Sequence, residues 1–228
     1  MVSPTPYTDV LLDTPESRKS SDSAAEFQLT LSNSSTPHSL YLPEISPRYR
    51  ALKSIPESLI EISPESHAYA QEFARRIGGT NEAPKHSPSG AALILDYGPA
   101  DTIPINSLRG IKQHEMVSPL SSPGLVDLSA DVDFMAIAEA SLGASPGVEV
   151  HGPIEQGSFL LGMGIKERAQ VLAKGMTDPE KAKILEGAWK RLIDRGGSGM
   201  GKVYKAMAIV PESGGKRRPV GFGGDVSG

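Results

Sequence analysis

The sequence predicts an α/β fold, and three segments carry that reading. Gly90 to Gly98, GAALILDYG, is an apolar run of strand length that stops abruptly at an acid, an aromatic residue and a glycine. Uninterrupted hydrophobicity suits a strand buried on both faces in the middle of a sheet, whereas a half-exposed strand alternates. Ser63, Pro64 and Glu65 place an N-cap, a first-turn proline and a first-turn acid ahead of a helical stretch that closes at Gly78 and Gly79, the local punctuation of a complete helix. Val203 to Val210, VYKAMAIV, is a second strongly apolar strand and follows a capped helix. In open α/β folds ligands bind beyond the carboxyl ends of the strands, so Asp96, Tyr97 and Gly98 form the first candidate site.

Taken in order, residues 1–25 are rich in Ser, Thr, Pro and Asp, with Val10, Leu11 and Leu12 as their apolar cluster, and read as loop or disorder. Phe27 to Leu31 alternates as a strand does, and Ser39 to Leu42 is a second short apolar patch. Ser58 to Ile62 predicts a short strand feeding the helix from Pro64 to about Ile77, whose Ala68, Ala70, Phe73, Ala74 and Ile77 supply a buried stripe. Strand, helix and the GAALILDYG strand then compose a βαβ unit with parallel pairing. The stretch from Ser107 to the turn-rich SPLSSPG is irregular. An Ala-rich helix is expected at about Phe134 to Leu142, a short strand at Val148 to Gly152, and a helix at Lys166 to Lys174 after QGSFLLGMG. A longer helix runs from a Thr177 N-cap with Glu180 in a capping box to Asp194. Its Ala182, Leu185, Trp189 and Leu192 fall on one face, which makes Trp189 a core residue. The domain reading is therefore a loop at 1–25, a folded part at 26–211 with a helical insertion at 156–195, and a flexible Gly-rich tail at 212–228.

Composition narrows the function classes. With 24 glycines, 19 prolines and 5% aromatics in 228 residues, the chain is read as a partial core with long connections. A net charge of −4 gives no basic field for nucleic acid. The absence of cysteine excludes disulfides and thiolate chemistry, and the five histidines show no paired ligand spacing, so no metal site is expected. No apolar run approaches membrane-spanning length, and the acidic, Pro-rich first twenty residues resemble no targeting segment. DLSADVDF lacks the glycine and the distant glutamate of a calcium loop. GGSGMGK satisfies G-x-x-x-x-G-K, but Val203 follows it and it leads from helix into strand, opposite to a phosphate loop. Gly162 and Gly164 read as a helix stop, and Phe159, Leu160 and Met163 as core. No Gly-x-Ser-x-Gly elbow is present, and Ser158 stands in a different context, against a hydrolase.

The ordered set IEISPES, GAALILDYG, SLRGIKQHE, SPGLVDLSADVDF, GPIEQGSFLLGMGI and KVYKAMAIVP resembles the second half of the MidA family. That family includes the mitochondrial complex I assembly factor that acts as a protein arginine methyltransferase. The resemblance runs from about Ile60 to Pro211 and implies a partial Rossmann-like class I methyltransferase sheet. Ala91 to Leu95 resembles the fifth strand, Val148 to Val150 the sixth, and Val203 to Ile209 the seventh, which runs antiparallel. It implies S-adenosyl-L-methionine as cofactor, a complex I subunit as protein substrate, and a mitochondrial location. The Gly-rich turn, the ribose-binding acid and the Asn-Glu motif of the family do not occur in this chain, so the N-terminal half of the fold is expected to be absent, as in a truncated product or shortened gene model. Such a chain is expected to be poorly soluble, through an exposed apolar edge, and without turnover.

Methyl transfer from a sulfonium to a guanidinium nitrogen is an in-line displacement in which the protein chiefly aligns donor and acceptor. Arginine is protonated at any working pH, so carboxylates are expected to orient the guanidinium and accept its proton. The resemblance thus singles out Asp96, Tyr97, Asp127 and Asp131 as candidate catalytic residues, and Arg109 and His114 as candidate substrate contacts. The structural alternatives are a strand-end cap for Asp96, a helix-terminus pair for Asp131 and Asp133, a salt bridge for Arg109 and a loop histidine for His114. A second function class stays open, that of a non-enzymatic assembly or scaffold factor binding a complex I subunit.

Overall fold

The computed structural model describes residues 10–13, 28–197 and 199–224. In chain order the elements are β1 (Val10–Asp13), β2 (Gln28–Leu31), α1 (Pro37–Tyr41), α2 (Pro47–Ala51), α3 (Pro64–Gly78), β3 (Ala92–Tyr97), β4 (Arg109–Lys112), β5 (Glu115–Val117), β6 (Asp127–Ser129), α4 (Phe134–Ala144), β7 (Val148–Glu155), α5 (Gln156–Gly162), α6 (Ile165–Lys174), α7 (Pro179–Ile193) and β8 (Tyr204–Pro211). They fall into two compact units, Met1–Ile62 with Pro104–Asp131, and Ser63–Ile103 with Val132–Gly228.

The second unit holds a three-stranded sheet in the order β3-β8-β7, with β8 antiparallel to both neighbours. The strands β3 and β7 therefore run the same way without pairing. Ala92 and Ile94 of β3, Met207 and Ile209 of β8, and Val148 and Val150 of β7 point to one face, where α3 and α4 cover them. Two apolar clusters result, one around Ala70, Phe134, Ile137 and Met207, the other around Ala74, Ile77, Val148 and Ile209. The helix α3 begins on Ser63, whose hydroxyl accepts from Ser66 N at 3.2 Å, and carries Pro64 in its first turn. Asp133 caps α4 by accepting from Ala136 N at 3.0 Å. In α7 the cap is Asp178, one residue beyond the expected Thr177. The face of α7 bearing Ala182, Leu185, Trp189 and Leu192 is half-buried.

Several expectations are corrected here. Ser58 to Ile62 forms no strand; Glu61 N bonds Pro104 O at 3.1 Å, and no ladder forms along the segment. The expected βαβ unit with parallel pairing is replaced by antiparallel ladders throughout the described residues. The strand β3 is not buried on both faces: its burial alternates, and Leu93 and Leu95 are 52% and 46% exposed on the face turned away from α3 and α4. It is also an edge strand of its sheet among the described residues. In the segment expected as a flexible tail, Ser213 Oγ bonds Glu149 Oε1 at 3.0 Å and the Phe222 ring lies 5.2 Å from Phe159; residues 225–228 lie outside the described ones. Within residues 1–25, Val10–Asp13 pairs with β2 as an antiparallel hairpin strand, and the rest lies outside the described residues.

An apolar edge strand invites pairing with another chain. Self-association is the expected behaviour, and Leu95→Lys should weaken it about tenfold, the equivalent of losing about 1.5 kcal/mol of leucine burial. Sedimentation velocity across a concentration series measures this, and an unchanged association constant would show that another surface mediates contact.

The first unit contains α1 and α2 and a second three-stranded antiparallel sheet in the order β5-β4-β6. The segment Ser39 to Leu42 is largely α1, opened by a Thr36 capping box. The stretch after Gly98 read as irregular thus holds two short strands, β4 and β5, and β6 follows it. No described helix is long and apolar enough to cross a membrane.

Candidate functional site

At the carboxyl end of β3, Asp96 stands opposite Lys205 of β8, and Lys205 stands opposite Glu155 of β7. Directly opposed residues share a face of the sheet, so an acid, a base and an acid form one row across three strands. An extra residue in β7 creates this row. Between His151 and Ile154 the register shifts, so that Ile154 meets Ala206 and Glu155 meets Lys205; an unshifted register would bring Ile154 to Lys205. Lys205 is only 8% exposed, and its Nζ donates to the Lys202 carbonyl. Asp96 Oδ1 accepts from Tyr97 N at 2.7 Å, the strand-end cap among the sequence alternatives.

Tyr97 and Tyr204 occupy the next row and therefore the other face, with ring centroids 3.9 Å apart. The Tyr97 carbonyl accepts from Val132 N at 2.8 Å, which ties the end of β3 to the start of α4. A Cβ at Gly98 would overlap the Val132 carbonyl oxygen. The turn after β3 is thus filled by the protein's own backbone. Gly157 in α5 meets Ile193 O in the same way, at 2.8 Å from an added Cβ. Among the described residues no group of three or more His, Asp or Glu side chains is arranged to hold a metal ion.

The other predicted site residues lie in the first unit. Arg109 donates to Asp131 Oδ1 at 2.7 Å and to Ser107 O at 3.0 Å. Ser107 in turn accepts from Asp131 N at 2.8 Å through its hydroxyl, which also donates to Glu61. Arg109 and Asp131 are thereby an ion pair within a closed hydrogen-bond network. Asp127 is exposed on β6 opposite Ile111. His114 follows Gln113 at the tip of the β4-β5 hairpin, both with positive φ, the backbone of a two-residue type I′ turn.

A further cluster joins the end of the chain to β7. Glu149 receives hydrogen bonds from the Ser213 hydroxyl and backbone and lies 3.1 Å from His151 Nε2. Burial pushes the Glu149 carboxyl up, but the bonds to His151 and Ser213 outweigh it and hold the group below its ordinary value. Its stabilising contribution is therefore fully present above about pH 4.3, the unfolded value, and lost as pH falls through the lower folded value. Glu149→Gln should flatten the acid limb of a melting-temperature profile between about pH 3 and 5; a parallel profile would remove Glu149 from acid unfolding.

Comparison with known proteins bears on the whole arrangement. Residues 5–154 match the model of a family described as "Putative S-adenosyl-L-methionine-dependent methyltransferase". This chain belongs to that family. It is 34% identical over 152 residues to the rat mitochondrial protein arginine methyltransferase NDUFAF7, covering 67% of this chain and 32% of that protein. The Drosophila melanogaster homolog of that methyltransferase is 34% identical over 210 residues, 90% of this chain and 42% of that protein. A Burkholderia thailandensis protein crystallised with S-adenosyl-homocysteine shares the fold, with a TM-score of 0.65 at 22% identity over 96% of this chain and 51% of that one. The chain thus spans about a third to two-fifths of the curated relatives' length.

Sequence reasoning missed Glu155, Lys205 and their neighbours Ser158 and Arg195 as a group. The strand was expected to end at Gly152, before Pro153, which hid the acid at its true end. The signal was weak: Glu155 ends VEVHGPIE, in which Glu149 and His151 interrupt the apolar residues, whereas Asp96 ends the unbroken run AALIL.

Proposed function

We propose that this methyltransferase-family chain supplies the acceptor-side part of an S-adenosyl-L-methionine-dependent protein arginine methyltransferase that acts on a complex I subunit in the mitochondrion. The observation that carries the reading is the acidic carboxyl edge of the sheet, Asp96 and Glu155 in one row around Lys205, because a cationic guanidinium is oriented by carboxylates. The 34% identity to mitochondrial arginine methyltransferases supports the substrate class and the location. In this reading Asp96 and Tyr97 serve the acceptor. In the other unit Asp127 remains a candidate acid and His114 a candidate substrate contact, while Asp131 and Arg109 act as a pair. S-adenosyl-L-methionine is the methyl donor, and no step is assigned to the described residues through it.

The test is a chimera in which this chain replaces its matched 210-residue region within the Drosophila relative. Calorimetry with S-adenosyl-homocysteine and methyl incorporation into arginine peptides are the readouts. Cofactor binding with methylation of arginine but not lysine peptides is expected, with Asp96→Asn lowering incorporation at least about 100-fold, the scale of a lost acid-base group. Cofactor binding without arginine methylation would overturn the reading.

A further inference from the structure

Glu155 sits at the N-cap position of α5, yet its side chain makes no capping bond. Its carboxylate turns instead towards Arg195, which follows the end of α7. Arg195 Nε lies 2.7 Å from Glu155 Oε2, and its NH2 donates to Ser158 Oγ at 2.8 Å. The contact is incomplete: Glu155 Oε2 is shielded from solvent and has no donor aligned with it, so the Arg195 N–H approaches off the line of the bond. Arg195 is itself 60% exposed. A shielded carboxylate oxygen facing a misaligned, largely solvated guanidinium is a receptor held by a poor ligand, since the planar fork of a guanidinium binds best when two N–H groups point straight at the acceptor.

The frame around this pair is fixed. Gln156 Nε2 donates to Leu192 O at 2.9 Å and Gly157 N to Gly201 O at 2.8 Å, which locks the start of α5 to the end of α7 and to the loop before β8. The backbone after Arg195 is held, with Gly196 N on Asp194 Oδ1 at 3.0 Å and Gly199 N on Gly196 O at 3.0 Å, so it is the exposed Arg195 side chain that can leave towards solvent. An open depression of about 780 Å³ adjoins the pair, lined by Lys190, Arg191, Ile193, Asp194 and Arg195. Lys190 there is paired with Glu186 at 2.6 Å and Asp194 is an acid, so Arg191 and the displaced Arg195 are the cations that favour a ligand with acidic residues beside its guanidinium.

We infer that Glu155 and Ser158 form an arginine-recognition subsite that the chain's own Arg195 occupies, and that an arginine flanked by acidic residues in a protein partner displaces it. The identity of that partner as the methylated substrate rests on the methyltransferase reading; the recognition itself does not. Arg195 is then a built-in competitor, and removing it exposes the subsite.

The experiment is fluorescence anisotropy with the full chain and a labelled peptide carrying Asp-Arg-Asp, compared with its Asp-Lys-Asp and Ala-Arg-Ala counterparts. Arg195→Gln should bind the Asp-Arg-Asp peptide at least about fivefold more tightly than the unaltered chain, and Glu155→Gln at least about tenfold more weakly, as expected for loss of a charge-assisted pair. Arg195→Lys, which keeps the charge, should fall between the unaltered chain and Arg195→Gln. Circular dichroism of each variant confirms a common fold, and if Arg195→Gln fails to fold, Arg195→Lys with Glu155→Gln carries the comparison. Equal binding of arginine and lysine peptides, or no gain on removing Arg195, would overturn the subsite. Peptide capture that follows these rules while the chimera incorporates no methyl group would leave the subsite standing and sink the methyltransferase reading. Methyl incorporation unaffected by Glu155→Gln would do the reverse.

Discussion

Gly78→Ala is expected to destabilise the second unit by about 3 kcal/mol, the upper range for forcing a group into a packed site. Gly78 is the last residue of α3, and a Cβ there would lie 2.6 Å from the Gly147 carbonyl carbon and 2.8 Å from its Cα, and would also overlap the Ser145 hydroxyl. The obstacle is mostly backbone, which cannot swing aside as a long side chain does. Gly147 is equally closed from its own side, its Cβ lying 2.8 Å from Gly78 Cα. This glycine pair lets the end of α3 touch the turn between α4 and β7, and so sets the helix layer down on the sheet over Ile77, Val148 and Ile209. Opposing the strain is the helix propensity of alanine over glycine, up to about 1 kcal/mol. Gly187 isolates that favourable term: it lies inside α7, and an added Cβ there meets nothing within 4 Å. Gly187→Ala should therefore stabilise by up to about 1 kcal/mol. Urea unfolding midpoints of both variants give opposite signs; two stabilised variants would mean that the α3 contact yields readily.

These two glycines also show what the sequence revealed. The helix ends were legible because caps are local: Ser63 with Pro64 opens α3 and Asp133 opens α4, and a capping side chain reaches only two or three residues ahead. Strands were legible only where their hydrophobicity was strong. Ser58 to Ile62 has a strand-like pattern, but strands are stabilised by cross-strand neighbours, and none pairs with it. The reverse holds for β4, β5 and β6, short segments in a Ser- and Pro-rich setting whose hairpin turns on Gln113 and His114 rather than on Asn-Gly. Pairing direction is a property of the assembled sheet, which is why the apolar pattern alone suggested parallel ladders, while the antiparallel course of β8 between β3 and β7 was legible through the family resemblance. In the site, Asp96 and Tyr97 were visible as a strand end. The Arg109 to Asp131 pair was not, because their separation along the chain carries no periodic signal. Glu155 was hidden by Pro153, which normally ends a strand and here lies in a bulge.

Lys205→Glu is expected to be the most damaging single change in the sheet, because it places a third carboxyl between Asp96 and Glu155. Lys205 is 8% exposed on the central strand, and neighbouring strands lie about 4.8 Å apart. At an effective dielectric of about 20, unit charges about 5 Å apart interact by about 3 kcal/mol, so a carboxylate placed in this row is repelled by each neighbouring acid by up to that order. Relief is available by protonation, since a carboxyl crowded by like charge titrates above its ordinary value. The folded state of the variant then binds more protons than its unfolded state, and its stability rises as pH falls through that raised value. The variant should be unfolded or nearly so at about pH 7 and recover towards about pH 5. Lys205→Met removes the cation and its bond to the Lys202 carbonyl without adding charge, and an apolar residue of similar length restores packing. Its expected cost is only about 1–2 kcal/mol, with little pH dependence over the same range. Comparing the two by urea unfolding at both pH values separates electrostatics from packing. If Lys205→Glu matches Lys205→Met at pH 7, the three residues share a row in the sheet but not an electrostatic field.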